Sequence, residues 1–252
     1  FQEIIIQNSQ IIREKQGKPI LSLRHNHNLY DKTQQPKVVY FPPNSYFRGR
    51  KQVINLTKKT TAGEFKNKKY TCHDSFVYNL VQILRENEHC QFDIVYNDQI
   101  DFSSLGNYDK ILLSPGPGIP AEAGELLTLI EHCKTTHDIL GVCLGHQAIA
   151  ESFGASLQQL PHPKHGHESP LTIVDSTDIL YHDLTYPVQV GRYHSWIVNP
   201  HTLPPCLRIS ALDEEGHIMS FYHTTLPIRG VQYHPESIIT RQGRKMINNW
   251  VN

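Results

Sequence analysis

The sequence predicts an α/β protein whose sheet is open, mainly parallel and flanked by helices. Three observations carry that reading. Between about residues 75 and 154, short apolar runs of strand length alternate with stretches of helical apolar spacing. After Gly154 the texture changes to short extended runs. Residues able to do chemistry fall at the ends of the apolar runs and in the loops behind them, where open α/β sheets place their sites.

In chain order, a helix is predicted over 75–86, then strands over 92–96 and 110–113, and a helix over 121–133. Asp138-Ile139-Leu140 reads as the end of a buried strand, and 144–153 as a helix closed by Gly154. Extended runs follow at 171–174, 188–190 and 207–212. The last turns through Asp213-Glu214-Glu215-Gly216 into 217–222. An apolar strand covers 228–233, and a terminal helix over 241–251 buries Met246, Ile247 and Trp250. Residues 1–66 do not fit this plan: they are rich in Lys, Arg, Asn and Gln, and hold a few apolar runs such as Glu3-Ile4-Ile5-Ile6 and Val38-Val39-Tyr40-Phe41. They are read as a dispensable extension ahead of a domain over 67–252. The competing reading is that Val38 to Phe41, or 53–56, supplies a strand to the sheet. The chain begins at Phe1, as a fragment would, and no charged-then-apolar pattern marks a signal peptide.

Gly141-Val142-Cys143-Leu144-Gly145 places a cysteine at the centre of a G-x-nucleophile-x-G turn between a strand and a helix. Such a turn exposes the sulfur and aims the Leu144 N–H at whatever it attacks, which suits acyl transfer. The bland alternative is that Cys143 is a small buried hydrophobe, as the other four cysteines are read. His234-Pro235-Glu236 ends the 228–233 run. In extended chain residues i and i+2 share a side, so Glu236 can hold one ring nitrogen of His234 and leave the other for the thiol proton. A third segment, Ser114-Pro115-Gly116-Pro117-Gly118-Ile119-Pro120, is a side-chain-poor turn through which backbone N–H groups can approach a ligand and complete an oxyanion hole with Leu144.

These segments resemble the class I (triad) glutamine amidotransferases. Gly116-Pro117-Gly118 resembles the family's glutamine and oxyanion loop, Gly141 to Gln147 its nucleophile motif, and Gly230 to Ser237 its His/Glu motif. The resemblance runs from about Lys69 to Asn252 and implies a flavodoxin-like fold. It also implies catalytic Cys143, His234 and Glu236, with Gln147 and the Ser195-Trp196 backbone holding glutamine. Asp74 to Leu80 is similar to the first helix of subunits serving chorismate-using synthases, so the implied partner is a synthase subunit that receives ammonia and forms anthranilate or 4-amino-4-deoxychorismate. Such relatives carry an apolar strand directly before Asp74; this chain has Lys66-Asn67-Lys68-Lys69-Tyr70-Thr71-Cys72-His73 there. Two other classes stay open: a stand-alone cysteine hydrolase or peptidase of related fold, and a non-catalytic partner-binding subunit.

Composition bounds the rest. With 24 basic and 24 acidic residues, neither nucleic acid nor an anionic membrane is the expected main partner. No apolar run is long enough to span a bilayer. Five scattered cysteines lack disulfide or metal spacing, so a reducing cytosol is expected. Sixteen histidines include His162, His165 and His167, but no recognised ligand set completes around them, and neither a metal nor an organic cofactor is expected. His194 is a rival base for Cys143 that lacks an adjacent carboxylate and is read as structural; His146 is read as packing locally.

Overall fold

The computed structural model describes residues 37–41 and 75–252. The chain divides into 1–34, outside the described residues, and a unit from Gln35 to Asn252. Its main sheet takes strands β1 (Lys37–Phe41), β2 (Gln91–Ile94), β3 (Lys110–Leu113), β4 (Asp138–Val142), β7 (Thr172–Ile173), β10 (Leu207–Leu212), β11 (Ile218–His223) and β12 (Ile228–Val231). Four further strands form two small ribbons, β5 (Leu157–Gln159) with β9 (Trp196–Val198), and β6 (His167–Pro170) with β8 (Gln189–Arg192). The sheet order is β2-β1-β3-β4-β12-β11-β10-β7. The strands from β2 to β12 run parallel and the remaining three antiparallel.

Alternate residues of the parallel strands face opposite layers, and β3 and β4 are apolar beyond the charged residue that opens each because both layers are covered. Leu112 and Leu140 join Leu80 and Leu84 of α1 (Ser75–Glu86) and Met246, Ile247 and Trp250 of α4 (Gly243–Val251). Ile111, Leu113 and Ile139 face the other way, onto Leu129 and Ile130 of α2 (Leu126–Cys133) and Ala148 and Ile149 of α3 (Leu144–Ser152). A polar latch ties the terminal helix to the sheet: Trp250 Nε1 donates to Asp138 at 2.7 Å, and Lys110 pairs with the same carboxylate at 2.8 Å.

The largest difference from the sequence reading lies at β1. Lys37–Phe41 sits inside the sheet, with Val38 paired to Phe92 on one side and to Lys110 on the other. Val38 to Phe41 thus takes the place in the sheet that the competing reading assigns to it. The cause is energetic: without β1, β2 and β3 each present an unpaired edge. The second candidate strand, 53–56, and the Lys-rich stretch 66–73 ahead of Asp74 lie outside the described residues. The helix expected over 121–133 is broken into a 3₁₀ turn, Pro120–Glu122, and α2, with Gly124 at φ +61° between them.

Candidate active site

Cys143 follows β4 and caps α3 with φ 52° and ψ −96°, a region a non-glycine residue enters at a cost of about 1–3 kcal/mol. The flanking glycines permit the turn. A Cβ on Gly141 would lie 2.4 Å from the Gly145 carbonyl carbon, and one on Gly145 would lie 2.7 Å from Leu113 at the end of β3. The elbow is thus folded on itself and pressed against the strand from which the 114–120 loop departs. In that loop Gly118 is exposed at φ +73°.

Parallel pairing of β12 with β4 brings the second segment alongside. Gly230 lies opposite Gly141 and Val231 opposite Val142, and the Cys143 N–H donates to the Val231 carbonyl at 2.8 Å. The chain beyond β12 is held by β8: His234 N–H donates to Gly191 O at 3.0 Å, while Thr240 Oγ1 accepts from Gly191 N–H and donates to His234 O. His234 Nδ1 then meets Glu236 Oε1 at 2.7 Å, both side chains almost fully buried. Burial by itself disfavours a charged ring, yet the Glu236 carboxylate and the Cys143 sulfur outweigh it and hold the His234 pKa above the ordinary imidazole value. Tyr193 stands over the ring, centroids 5.0 Å apart, with its hydroxyl 3.1 Å from Ser237 Oγ.

Cys143, His234 and Glu236 are therefore brought together, and Gln147, on the first turn of α3, lies beside them. Its Nε2 donates to the Trp196 carbonyl at 2.9 Å and to Gln232 Oε1 at 3.1 Å. The Ser195 carbonyl accepts from Leu160 N–H at 2.8 Å. Gly116, Pro117 and Gly118 occupy the loop after β3, and Leu144 is the first residue of α3.

His194 is not placed as a base. Its Nε2 accepts from Arg192 Nε at 3.2 Å and its Nδ1 lies 3.0 Å from Trp196 O. Burial, and then the neighbouring Arg192 charge, push its pKa down to about 3, so the ring is neutral. His146 is wholly buried, its ring 4.5 Å from Phe221, and burial lowers its pKa to about 3. His167 contacts Ser169 and His165 packs edge-on against Tyr193. The grouping of metal-ligating type among the described residues is instead Asp213, Glu215 and His217. Asp213 Oδ2 already receives Arg192 at 2.6 Å and His217 at 2.9 Å, so its charge is spent on a buried ion pair.

Two groups escape the sequence reading. Gln232, with no exposed surface, directs Nε2 to Cys143 Sγ at 3.6 Å. Arg192, 1% exposed and locked to Asp213, supports His194. A signal for Gln232 exists in the sequence: two residues before His234 in extended chain it shares the histidine's side. Nothing local in the sequence pairs Arg192 with Asp213.

A strained cysteine elbow on a parallel sheet, beside a His-Glu pair that follows the neighbouring strand, has the geometry of a cysteine-dependent acyl-transfer site. The comparisons narrow the class. The model of the glutamine amidotransferase class-I family matches residues 70–252, and the chain belongs to that family. It is 41% identical over 181 residues to the aminodeoxychorismate/anthranilate synthase component 2 of Bacillus subtilis, covering 71% of this chain and 92% of that one. It is 41% identical over 184 residues to the anthranilate synthase component 2 of Mycobacterium tuberculosis, covering 71% and 78%. A glutamine amidotransferase structure from Thermotoga maritima superposes with a TM-score of 0.58 over 86% of this chain and 81% of that one, at 17% identity, and so shares the fold. Among the described residues no helix is long and apolar enough to cross a membrane.

Proposed function

We propose that this chain hydrolyses the side-chain amide of glutamine through Cys143, His234 and Glu236, and delivers the ammonia to a chorismate-using component I subunit in the cytosol. The single observation that carries the reading is the meeting of the Cys143 elbow with the Glu236-backed His234. His234 Nδ1 is taken by Glu236, which leaves Nε2 for the Cys143 proton, and the raised basicity of the ring suits it to take that proton. The thiolate attacks the amide carbon while the Leu144 and Gly118 N–H groups receive the developing oxyanion. His234 returns its proton to the leaving nitrogen, ammonia departs, and a water activated by the same ring cleaves the glutamyl thioester to glutamate. Gln147 Oε1, which takes no partner among the described residues, suits the substrate's ammonium group.

The pairing with a component I synthase rests on the names of the relatives, one of which serves both anthranilate and aminodeoxychorismate formation. Ile238, 93% exposed two residues beyond Glu236, offers that partner an apolar contact beside the site. The test is Cys143→Ser in the assembled complex. Glutamine-dependent product formation falls by at least about a thousandfold, because the hydroxyl is far the poorer nucleophile, while formation from ammonium salts persists. Equal loss of both activities refutes the reading.

A further inference from the structure

Gln232 is the least explained group at the site: a side chain without exposed surface, placed against the reacting sulfur by strand register. Which end of its amide faces the sulfur follows from the Trp196 carbonyl, an obligate acceptor that His194 also meets. A guanidinium only donates, so the His194 Nε2 it meets at 3.2 Å is an acceptor, and the proton of that neutral ring sits on Nδ1. Nδ1–H therefore donates to the Trp196 carbonyl at 3.0 Å. That carbonyl only accepts, which makes the end of Gln147 lying 2.9 Å from it the NH₂ group. The same NH₂ is 3.1 Å from Gln232, so the Gln232 atom there is the carbonyl oxygen and its own NH₂ points at Cys143 Sγ, 3.6 Å away. Each link is fixed by a neighbour that has one option, and the last link ends on the nucleophile.

We propose that Gln232 is a further catalytic residue: its amide N–H donates to the Cys143 sulfur, holds the thiolate in the attacking position, and ties it through Gln147 to the glutamine pocket. A neutral donor against an anionic sulfur stabilises the ionised form selectively, since the uncharged thiol gains little from the same contact. In the buried site that preference is undiluted by water. Gln147 carries the second consequence. A ligand pulling on its amide also pulls on Gln232, so occupancy of the pocket and the set of the sulfur move together. The inference rests on Cys143 being the nucleophile, and its test avoids turnover so that the two stand or fall separately.

The experiment measures the rate of Cys143 alkylation by iodoacetamide against pH, read on the Cys143 peptide by mass spectrometry, in the full chain and in Gln232→Met and Gln232→Glu. The charged and titratable groups about the sulfur are His234 with Glu236 behind it, and, more remotely, His146 and the His194–Arg192 pair. All of these are retained in both variants. Loss of one charge-assisted hydrogen bond moves the alkylation midpoint of Gln232→Met up by about one to two pH units. Glutaminase kcat falls by about 10- to 100-fold with KM changed less. Gln232→Glu keeps the shape and the bond from Gln147 but turns an oxygen toward the sulfur, so its midpoint rises further. Should Gln232→Met fail to fold, Gln232→Leu, likewise uncharged and without a donor, takes its place. An alkylation profile identical to wild type in a folded variant overturns the proposal, even where turnover is lost; a chain without glutaminase activity whose Gln232→Met variant still shows the raised midpoint overturns the function and leaves the Gln232 contact standing.

Discussion

Asp213→Asn isolates the buried cation behind the pocket. Arg192 and Asp213 are each 1% exposed and 2.6 Å apart, and the carboxylate also accepts the N–H groups of Glu215 and His217 through Oδ1. Asparagine can keep those loop bonds, but its NH₂ replaces the oxygen that faces Arg192, leaving a buried guanidinium opposite a donor. Breaking one partner of such a pair costs about 3–5 kcal/mol. For a folded unit of this size that lowers the melting temperature by roughly 6–20 °C. Replacing both partners, Arg192→Met with Asp213→Asn, removes the stranded charge and recovers much of the loss, because the main cost of the single variant is the unpaired buried cation. The double variant nevertheless stays impaired in KM for glutamine, since His194 has lost the donor that fixes its tautomer and no longer commits Nδ1–H to the Trp196 carbonyl. Differential scanning calorimetry and glutaminase kinetics on the three variants give the readout. A melting temperature for Asp213→Asn within about 2 °C of wild type, or a double variant as unstable as the single, refutes the argument.

Two further outcomes follow. His146 and His194 are held neutral, each with its pKa pushed to about 3, so their folded values lie below the unfolded one and protons favour the unfolded chain. Their contribution is present above the unfolded histidine pKa and is lost as pH falls through it, about 2 kcal/mol each between pH 7 and 5. His234, shifted the opposite way, already contributes fully below that pKa and restores only a fraction. Urea midpoints that stay flat or rise on acidification from pH 7 to 5 contradict this. We also propose that the domain begins ahead of Lys37 rather than at residue 67: a chain starting at Lys66 lacks β1, leaves β2 without a partner and one edge of β3 open, and aggregates or melts far lower than the full chain by size exclusion and thermal unfolding. A monomeric truncated chain with an unchanged melting curve defeats that proposal.

The parallel core is legible in the sequence because burial on both faces leaves no room for polar residues. Lys110–Leu113 carries Ile111, Leu112 and Leu113 in succession, and its bounds match the sequence reading, as do those of Ser75–Glu86 and Leu207–Leu212. One boundary error lies where helical spacing continues across a break, at residues 120–126, where the left-handed Gly124 ends one turn before the next begins, and others lie at strand ends, as where the strand in the run read over 228–233 ends at Val231. β1 is the harder case. Its four apolar residues are an adequate strand, but nothing within them names their neighbours, and pairing with β2 and β3 is decided by which edges would otherwise stay open. That is a property of the finished sheet, and local periodicity does not contain it.

The site divides along the same line. The elbow is written locally, since Gly141 and Gly145 must lack side chains for β4 and α3 to cross at Cys143, and His234 and Glu236 share a side because they are two apart. What local pattern leaves out is polarity at a distance: Arg192 needs Asp213, His194 needs Arg192, and Gln232 meets Cys143 through the register of β12 on β4. An isolated Arg in a sequence is ordinarily a solvated charge. Arg192 instead sits in the interior, where its fixed donors leave His194 one tautomer, while the Trp196 carbonyl, which only accepts, sets the two amides beside it. On the proposed reading Cys143 is oriented twice, by a base two residues from its own carboxylate and by an amide whose direction is set, through Gln147, at a backbone carbonyl of another strand. Local spacing encodes the first, and only the assembled fold encodes the second.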